Sequence, residues 1–177
     1  MPEKFEKLAV WIATIGGLGK IRWAPGTWGS LVGLIIGTMT VHVLELPQPQ
    51  LVHVGFWWLW LSLLSPLVLT FILCAIICGA AERTLSVHDA PAIILDEAWA
   101  MTFIVILNPW AVSSWLWLLF IAFLLFRFFE IVKPPPLKRL ERLAGGWGIM
   151  ADDLGAAIYT VVIVWIITFL YILFTVH

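Results

Sequence analysis

The sequence predicts an all-α, polytopic membrane protein, a bundle of about five membrane-embedded helices with four to five crossings, in one domain over residues 1–177. Hydrophobic residues make up 62% of the chain and charged residues 12%, and mean hydropathy is +1.02, beyond the range of soluble globular domains. Twenty of the 21 charged side chains fall in three segments, Met1–Trp28, Ala80–Glu97 and Arg127–Asp153, and only Glu45 lies elsewhere. Each apolar stretch between them holds an even number of crossings, so all three segments can meet on one face of a bilayer.

The N-terminal residues predict an interfacial helix over Glu3–Ile15, because basic residues precede a short apolar run and no signal-peptide cleavage site follows. The next segment, Gly16–Leu34, is rich in glycine and contains Pro25, which should prevent regular helix until about Ser30. Such a loop exposes backbone N–H groups that can bind an anion ahead of a helix N-terminus. The alternative, which this segment alone favours, is a Gly-Pro turn followed by a Thr or Ser helix cap.

Five apolar stretches are the predicted crossings. Val54–Ala80 has no charge over 27 residues, more than the roughly 20 needed to span a bilayer. The full set is Leu31–Leu46, Val54–Ala80, Pro91–Leu107, Ser113–Phe126 with an extension to Phe128, and Leu154–Val176. The third and fourth stretches can alternatively form a hairpin of unequal helices around Asn108 and Pro109.

The distribution of basic residues predicts the orientation. All ten Lys and Arg residues lie in the three charged segments and none in the alternate loops Leu46–His53 and Asn108–Val112. By the positive-inside rule the charged segments face the cytoplasm. Aromatic residues at the opposite boundary agree with this orientation; they are Trp57, Trp58, Trp60, Trp110, Trp115 and Trp117.

Charge and cysteine content exclude other classes of protein. The net charge of −1 gives no nucleic-acid footprint. Cys74 and Cys78 lie one helical turn apart without His or Cys partners at ligand spacing, so we interpret them as small core residues. Nothing in the sequence identifies a protein partner.

The second charged segment contains adjacent carboxylates inside a predicted crossing. Pro91 suits the first turn of a helix, which would place Asp96 and Glu97 about a turn and a half inside it. Ionisable groups at that depth are costly and indicate function, and neighbouring carboxylates favour a hard divalent cation. The alternative is a salt bridge to Arg83 or Arg127. Asp89, which follows His88, can cap the helix or join the same site.

In the third charged segment Arg127, Glu130 and Lys133 follow at intervals of three, so they share one helix face. Pro134 to Pro136 end that helix, and we expect a short basic helix, Leu137–Leu143, and then a glycine loop. Asp152 and Asp153 begin the last crossing. Interaction with the helix dipole would explain one aspartate but does not require two. The basic residues Lys138, Arg139 and Arg142 are interpreted as an ordinary membrane-surface patch.

Together the three segments offer oxygen ligands and anion-binding groups on one face. Carboxylates suit Mg²⁺, which commonly bridges to phosphate oxygens. A substrate at headgroup level can keep its tails in lipid, so the pattern favours a phospholipid phosphate ester. The oxygen ligands are Asp89, Asp96, Glu97, Asp152 and Asp153, and the anion binders are Lys20, Arg127 and Lys133.

Three motifs closely resemble the bacterial phosphatidylglycerophosphatase A family: APGTWGS at Ala24–Ser30, HDAPAIILDE at His88–Glu97, and RFFEIVKPPP with GGWGIMADD within Arg127–Asp153. The resemblance implies an all-α, Mg²⁺-dependent inner-membrane enzyme that hydrolyses phosphatidylglycerophosphate to phosphatidylglycerol and inorganic phosphate. The positive-inside rule places its site on the cytoplasmic face. Glu130 departs from the Asp that the family often carries, and a structural role fits it better than metal ligation.

The hypothesis assigns a role to each candidate residue. Phosphoryl transfer depends on positioning and charge stabilisation, with either water or an aspartate as the nucleophile. The predicted metal ligands are Asp96, Glu97, Asp152 and Asp153; the catalytic residues are His88, Asp89 and Lys133; the phosphate-binding residues are Lys20, Thr27, Ser30 and Arg127.

Two other functions use similar residues. A non-enzymatic carrier or ion-binding membrane protein could use the buried acids, but the polar residues gather on one face and no inverted repeat is evident. A CDP-alcohol phosphotransferase requires a DGxxAR-type run, whereas Asp153 is followed by Leu154 and Gly155.

Overall fold

The computed structural model describes residues 3–44, 56–87, 90–113 and 115–175. These residues form eight α-helices and one 3-10 turn, Leu18–Lys20, and contain no strand, which confirms the all-α prediction. In chain order the helices are α1 Glu3–Ala13, α2 Pro25–Val43, α3 Phe56–Leu85, α4 Leu95–Ile106, α5 Pro109–Ser113, α6 Leu116–Val132, α7 Leu137–Leu140 and α8 Gly146–Thr175.

Among the described residues, three helices are long and apolar enough to cross a membrane: α2, residues Leu64–Leu85 of α3, and α8. Their outer faces expose large apolar side chains, as at Ile36, Leu69 and Phe169, which is the pattern of a lipid-facing surface. The prediction of a multi-pass membrane protein is therefore supported for three of about five helices. At 1.5 Å per residue, α4 is only about 18 Å long and α6 about 25 Å, short of a hydrocarbon core of about 30 Å.

The predicted N-terminal helix is confirmed as α1, which packs along α3 through its buried face. Ala9 and Ala13 are buried, whereas Trp11 on the other face is exposed. The backbone carbonyl of Ala13 accepts a hydrogen bond of 3.0 Å from the N–H of Ile94. This bond fastens the end of α1 to the segment that leads into α4.

The prediction that regular helix starts near Ser30 is wrong, because α2 begins at Pro25. Proline suits the first turn, where its missing N–H would have no helical partner, and Ala24 enters the helix in a left-handed conformation with φ 45°. Gly26 and Gly29 do not break α2, because both are buried against neighbouring helices. Because glycine has no side chain, the α2 backbone at these positions can lie directly against the neighbouring helices.

Glycines at spacings of three or four residues form one face of α2, and this face lies directly on α4. A Cβ added to Gly29 would lie 2.6 Å from the carbonyl oxygen of Ile94, and one added to Gly33 would collide with the carbonyl oxygen of Ala98. The single hydroxyl hydrogen of Thr102 is shared between the Gly33 carbonyl, at 3.0 Å, and the Ala98 carbonyl, at 2.8 Å. We call Gly26, Gly29, Gly33 and Gly37 the glycine face. Small residues of this kind let helix backbones approach closely in membranes.

The central helix of the bundle is α4, which contacts α2, α3, α5, α6 and α8. Its residues from Ala98 to Met101 and from Ile104 to Ile106 are buried. It begins at Leu95, not at Pro91 as predicted, because Ala90–Ile93 closes a separate turn with an N–H to carbonyl bond of 2.8 Å. Asp96 and Glu97 consequently lie in the first helical turn.

The last helix starts earlier than the sequence suggested. The glycines at 145, 146 and 148 were expected to form a loop, yet α8 begins at Gly146, where an added Cβ would collide with the Ala75 carbonyl of α3. The predicted basic helix Leu137–Leu143 is shortened to α7, and buried Leu137 packs against Gly155 of α8. These contacts place Asp152 and Asp153 in the second turn of α8, at the same end of the bundle as Asp96.

We expect Gly33→Leu to lower the free energy of unfolding by about 1–3 kcal/mol, the usual cost of overpacking a tight contact. The new side chain would force α2 away from the Ala98 carbonyl. Thermal unfolding in detergent, followed by circular dichroism, measures the change. Ile35→Leu is the matched control, because Ile35 is 55% exposed on the outer face of the same helix. Equal unfolding temperatures for the two variants would contradict the role of the glycine face.

Candidate active site

Three carboxylates from two helices form the centre of the candidate site. Asp96 and Glu97 lie in the first turn of α4, and Asp153 lies in the second turn of α8. One carboxylate oxygen of each lies within 4.8 Å of the others. Asp96 and Asp153 are buried and Glu97 is half-buried. We call these residues the acid cluster. It unites three of the four predicted metal ligands.

The acid cluster has the chemistry of a site for a hard divalent cation. Glu97 Oε2 and Asp153 Oδ2 are buried oxygens that accept no hydrogen bond from the described residues. Buried carboxylate oxygens without donors are costly, and like charges this close repel each other. A cation removes both costs. An all-oxygen set suits Mg²⁺ better than zinc, which favours nitrogen and sulfur.

The first turn of α2 lies directly beside the acid cluster. A Cβ added to Gly26 would collide with Glu97 Oε1 and would lie 2.7 Å from Arg127 Nη1. The backbone at Gly26 therefore contacts an acid of α4 and the guanidinium of α6 together. A helix N-terminus carries partial positive charge, so the cluster faces two sources of positive potential. Gly26 was not among the residues predicted for the site. The regular spacing of glycines along α2 is the sequence feature that indicates a close helix contact there.

Arg127 is positioned by the residue one turn along α6. Its Nη1 donates to Glu130 Oε2, and the two side chains are largely buried at 19% and 17% exposure. Glu130 thereby restrains the guanidinium beside Gly26 and the acid cluster, in line with the structural role expected from its extra methylene. An Arg held by a carboxylate keeps donors available for a second anion, because guanidinium carries five N–H groups.

Lys133 lies at the end of α6 and connects two further acids. Its Nζ is 2.7 Å from Asp152 Oδ2 and 3.1 Å from Glu141 Oε1. Partial burial alone would lower the pKa of Lys133, but the bonds to Asp152 and Glu141 outweigh burial and raise that pKa above its ordinary value. Asp152 thus lies outside the acid cluster, on the Lys133 side of α8, and its role as a metal ligand stays a prediction. Glu141 was not anticipated from the sequence.

The remaining candidates occupy different places. The Ser30 hydroxyl is buried and donates a bond of 2.9 Å to the Gly26 carbonyl, while Thr27 is half-buried in the first turn of α2. Lys20 is exposed and lines a cavity between α1 and α3. His88 and Asp89 lie outside the described residues. The phosphate-binding roles of Lys20, Thr27 and Ser30 stay predictions.

Comparison with known proteins then identifies the family. The model of the family described as phosphatidylglycerophosphatase A matches residues 11–168. The chain belongs to this family. It is 37% identical to phosphatidylglycerophosphatase A of Haemophilus influenzae over 86% of this chain and 84% of that protein. No solved structure matches the chain.

Two further relatives are similar to this chain over most of their length. A Bacteroides thetaiotaomicron protein, provisionally named a phosphatidylinositol-3-phosphatase, is 31% identical over 89% of this chain and 91% of that protein. Phosphatidylglycerophosphatase A of Escherichia coli is 30% identical over 85% of this chain and 78% of that protein. The prediction of a phosphoric monoester hydrolase is confirmed, and the non-enzymatic carrier is set aside.

We expect Gly26→Ala to lower kcat for phosphate release from a lipid phosphomonoester by up to about 100-fold, the loss that a displacement of about 1 Å can cause in a catalytic site. The added methyl would displace Glu97 and Arg127. Gly37→Ala is the matched control, because its methyl would meet Val105 at the far end of α4. That variant should lose stability and keep its kcat. Similar kcat values for both variants would contradict the placement of the site.

A double-mutant cycle tests the Lys133 contact. Lys133→Met and Asp152→Asn each remove one partner of the 2.7 Å pair, so their combined effect on the free energy of unfolding should be smaller than the sum. We expect a coupling energy of about 1–3 kcal/mol for a largely buried pair. Denaturant or thermal unfolding of the four proteins in one detergent measures it. A coupling within experimental error would show that the pair does not form.

Proposed function

We propose that this protein is a Mg²⁺-dependent lipid phosphatase that hydrolyses phosphatidylglycerophosphate to phosphatidylglycerol and inorganic phosphate in phospholipid biosynthesis. The observation that carries the proposal is the contact of three elements: the acid cluster, the Arg127 guanidinium and the N-terminal turn of α2. Cation ligands and anion donors on adjoining surfaces are what binding of a metal-bridged phosphate requires.

The names of the relatives support the class of substrate. Two are phosphatidylglycerophosphatases and one is provisionally a phosphatidylinositol-3-phosphatase, so their names share a glycerophospholipid bearing a phosphate monoester and differ in the headgroup. The 37% identity to the Haemophilus influenzae protein favours phosphatidylglycerophosphate. A lipid substrate also suits a polar site at one end of apolar helices, because the acyl chains can remain in the bilayer.

We further propose that α4 and α6 are membrane-embedded, giving five embedded helices with α2, α3 and α8. In this arrangement the charged segments lie on the cytoplasmic side of a bacterial inner membrane, as the distribution of Lys and Arg predicts. α4 does not need to span the bilayer by itself, since most of its residues are buried against neighbouring helices. The acid cluster at its first turn then lies at headgroup depth.

In the proposed mechanism Asp96, Glu97 and Asp153 would hold Mg²⁺. When bound, it would supply positive charge that neutralises the phosphomonoester. Arg127 donates to the phosphoryl oxygens, and the partial positive charge at Gly26 faces the same group. Lys133 acts as a positioning residue. Its contacts with Asp152 and Glu141 hold the part of α8 that carries Asp153.

Hydrolysis breaks the bond between phosphorus and the terminal glycerol oxygen and forms one new phosphorus–oxygen bond. The glycerol oxygen leaves with a proton as the free hydroxyl of phosphatidylglycerol, and the phosphate retains the incoming oxygen. We assign proton transfer to His88 or Asp89, which precede α4 by a few residues. Their place in the chain, just ahead of the acid cluster, supports this role.

We expect Asp153→Asn to reduce phosphate release from phosphatidylglycerophosphate by about 1,000-fold or more, the order of loss when a catalytic charge is removed. Treatment of the wild-type protein with EDTA should abolish release, and added Mg²⁺ should restore it. Glu6→Gln on α1 is the control, because it removes a carboxylate that lies outside the acid cluster. Substantial turnover by folded Asp153→Asn, or full activity in EDTA, would refute the metal assignment.

A further inference from the structure

An elongated cavity of about 730 Å³ lies between α1, α2, α3 and α4, away from the acid cluster. Along α4 it is lined by Leu95, Ala98, Thr102 and Ile106, whose spacing of three or four residues defines one face of the helix. Asp96 and Glu97 do not line the cavity. The acid cluster and the cavity therefore lie on different sides of the same helix.

The surface of the cavity is largely apolar, although threonines are among the residues that line it. The hydroxyls of Thr40, Thr70 and Thr102 each donate a hydrogen bond of 2.8 Å to a backbone carbonyl of their own helix. The indole N–H of Trp99 donates to Thr70 Oγ1 at 3.0 Å. The polar hydrogens of these four side chains are therefore satisfied within the protein. Water gains few partners in such a space, and apolar cavities of this kind stay dry.

The position of the cavity identifies what can fill it. Its side walls belong to α2 and α3, two of the helices long enough to cross a membrane. Ile36 and Leu44 at its rim are 47% and 55% exposed, so the cavity opens toward lipid. Its extent along α4, from Leu95 to Ile106, is about 16 Å at 1.5 Å per residue, or about one leaflet of hydrocarbon. An acyl chain has the polarity and length to match.

A second cavity adjoins the first at the end that lies near α1. It has a volume of about 340 Å³, shares Trp11 and Gly16 with the apolar cavity, and is lined by Lys7 and Lys20. Lys20 at this level provides positive charge that is complementary to the phosphate of an anionic lipid. The two cavities together match the two parts of one phospholipid, a charged headgroup and an acyl chain.

We propose that these two neighbouring cavities together bind an anionic phospholipid of the surrounding leaflet, separate from the lipid that is hydrolysed. Its acyl chain occupies the space beside Cys74 and Thr102, and its phosphate lies near Lys7 and Lys20. This lipid fills the gap between α2 and α3 and supports the bundle on the side of α4 that faces away from the acid cluster. The proposal depends on membrane insertion and not on the catalytic assignment.

The first experiment uses photocrosslinking in nanodiscs. The probe is a phosphatidylserine with a diazirine in its acyl chain, which has no terminal phosphate and so is not a phosphomonoester. Mass spectrometry should place the label on α2, α3 and α4 residues that line the cavity. Cys74→Trp, which fills the cavity, should abolish this labelling, whereas Ile76→Trp should leave it, because Ile76 is 49% exposed and does not line the cavity.

Val32→Phe is a second filling variant in case Cys74→Trp unfolds, and thermal unfolding identifies the folded proteins. Wild-type-level labelling of the cavity residues in a folded filling variant would overturn the proposal. Loss of labelling in Ile76→Trp as well would also overturn it, because the probe would then be reporting ordinary lipid contact.

The headgroup part is tested by comparing the phosphatidylserine probe with the matching phosphatidylcholine probe. The wild-type protein should prefer phosphatidylserine, and Lys20→Gln should lower that preference about fivefold, as expected for one Lys beside an anionic headgroup. Arg22→Gln is the control, because Arg22 is exposed near Lys20 but does not line the cavity. Equal labelling of the wild-type protein by the two probes would overturn the assignment of an anionic lipid.

Discussion

Backbone contact between α2 and α4 determines where the other parts of the candidate site lie. The glycine face removes side chains along the whole length of the interface, so α2 meets the carbonyls of Ile94 and Ala98 directly. The same approach carries the first turn of α2 against Glu97 and Arg127. In lipid there is little hydrophobic drive between helices, and close packing with interhelical hydrogen bonds has to supply the association. Packing of the bundle and assembly of the site therefore depend on one surface.

Burial of the acid cluster is unfavourable, whereas burial of the apolar residues around it stabilises the bundle. Tight burial suits the apolar residues of α4 but is unfavourable for Asp96 and Asp153 unless positive charge is near. The structure supplies part of it through Arg127 and the start of α2, and a divalent cation would supply the rest. Binding of a metal would be coupled to bundle stability in such a site, because the three acids come from two separate helices. Arg127 in turn needs Glu130, which keeps the guanidinium directed along α6.

The sequence predicted the membrane class, the all-α architecture and the convergence of Asp96, Glu97 and Asp153, because charge segregation and helical spacing are local properties. It could not predict where α2 begins, since glycine propensity argues for a loop and only the tertiary contact with α4 favours helix. The metal-ligand role of Asp152 stays a prediction, and the sequence did not indicate that Asp152 would pair with Lys133. Adjacent residues on a helix point about 100° apart, so Asp152 and Asp153 face different neighbours. Which aspartate meets Lys133 depends on where the proline turn places that lysine, and sequence spacing does not reveal this position.

The division of the acid cluster between α4 and α8 has a consequence for biosynthesis. α8 follows the other seven helices of the described residues, and Asp153 reaches Asp96 only after α8 has packed against its predecessors. A nascent chain that has inserted everything up to α7 would still lack a third of the carboxylates. Hydrolytic capacity would then appear only after α8 has packed, and intermediates that lack α8 would be unable to act on the lipids around them.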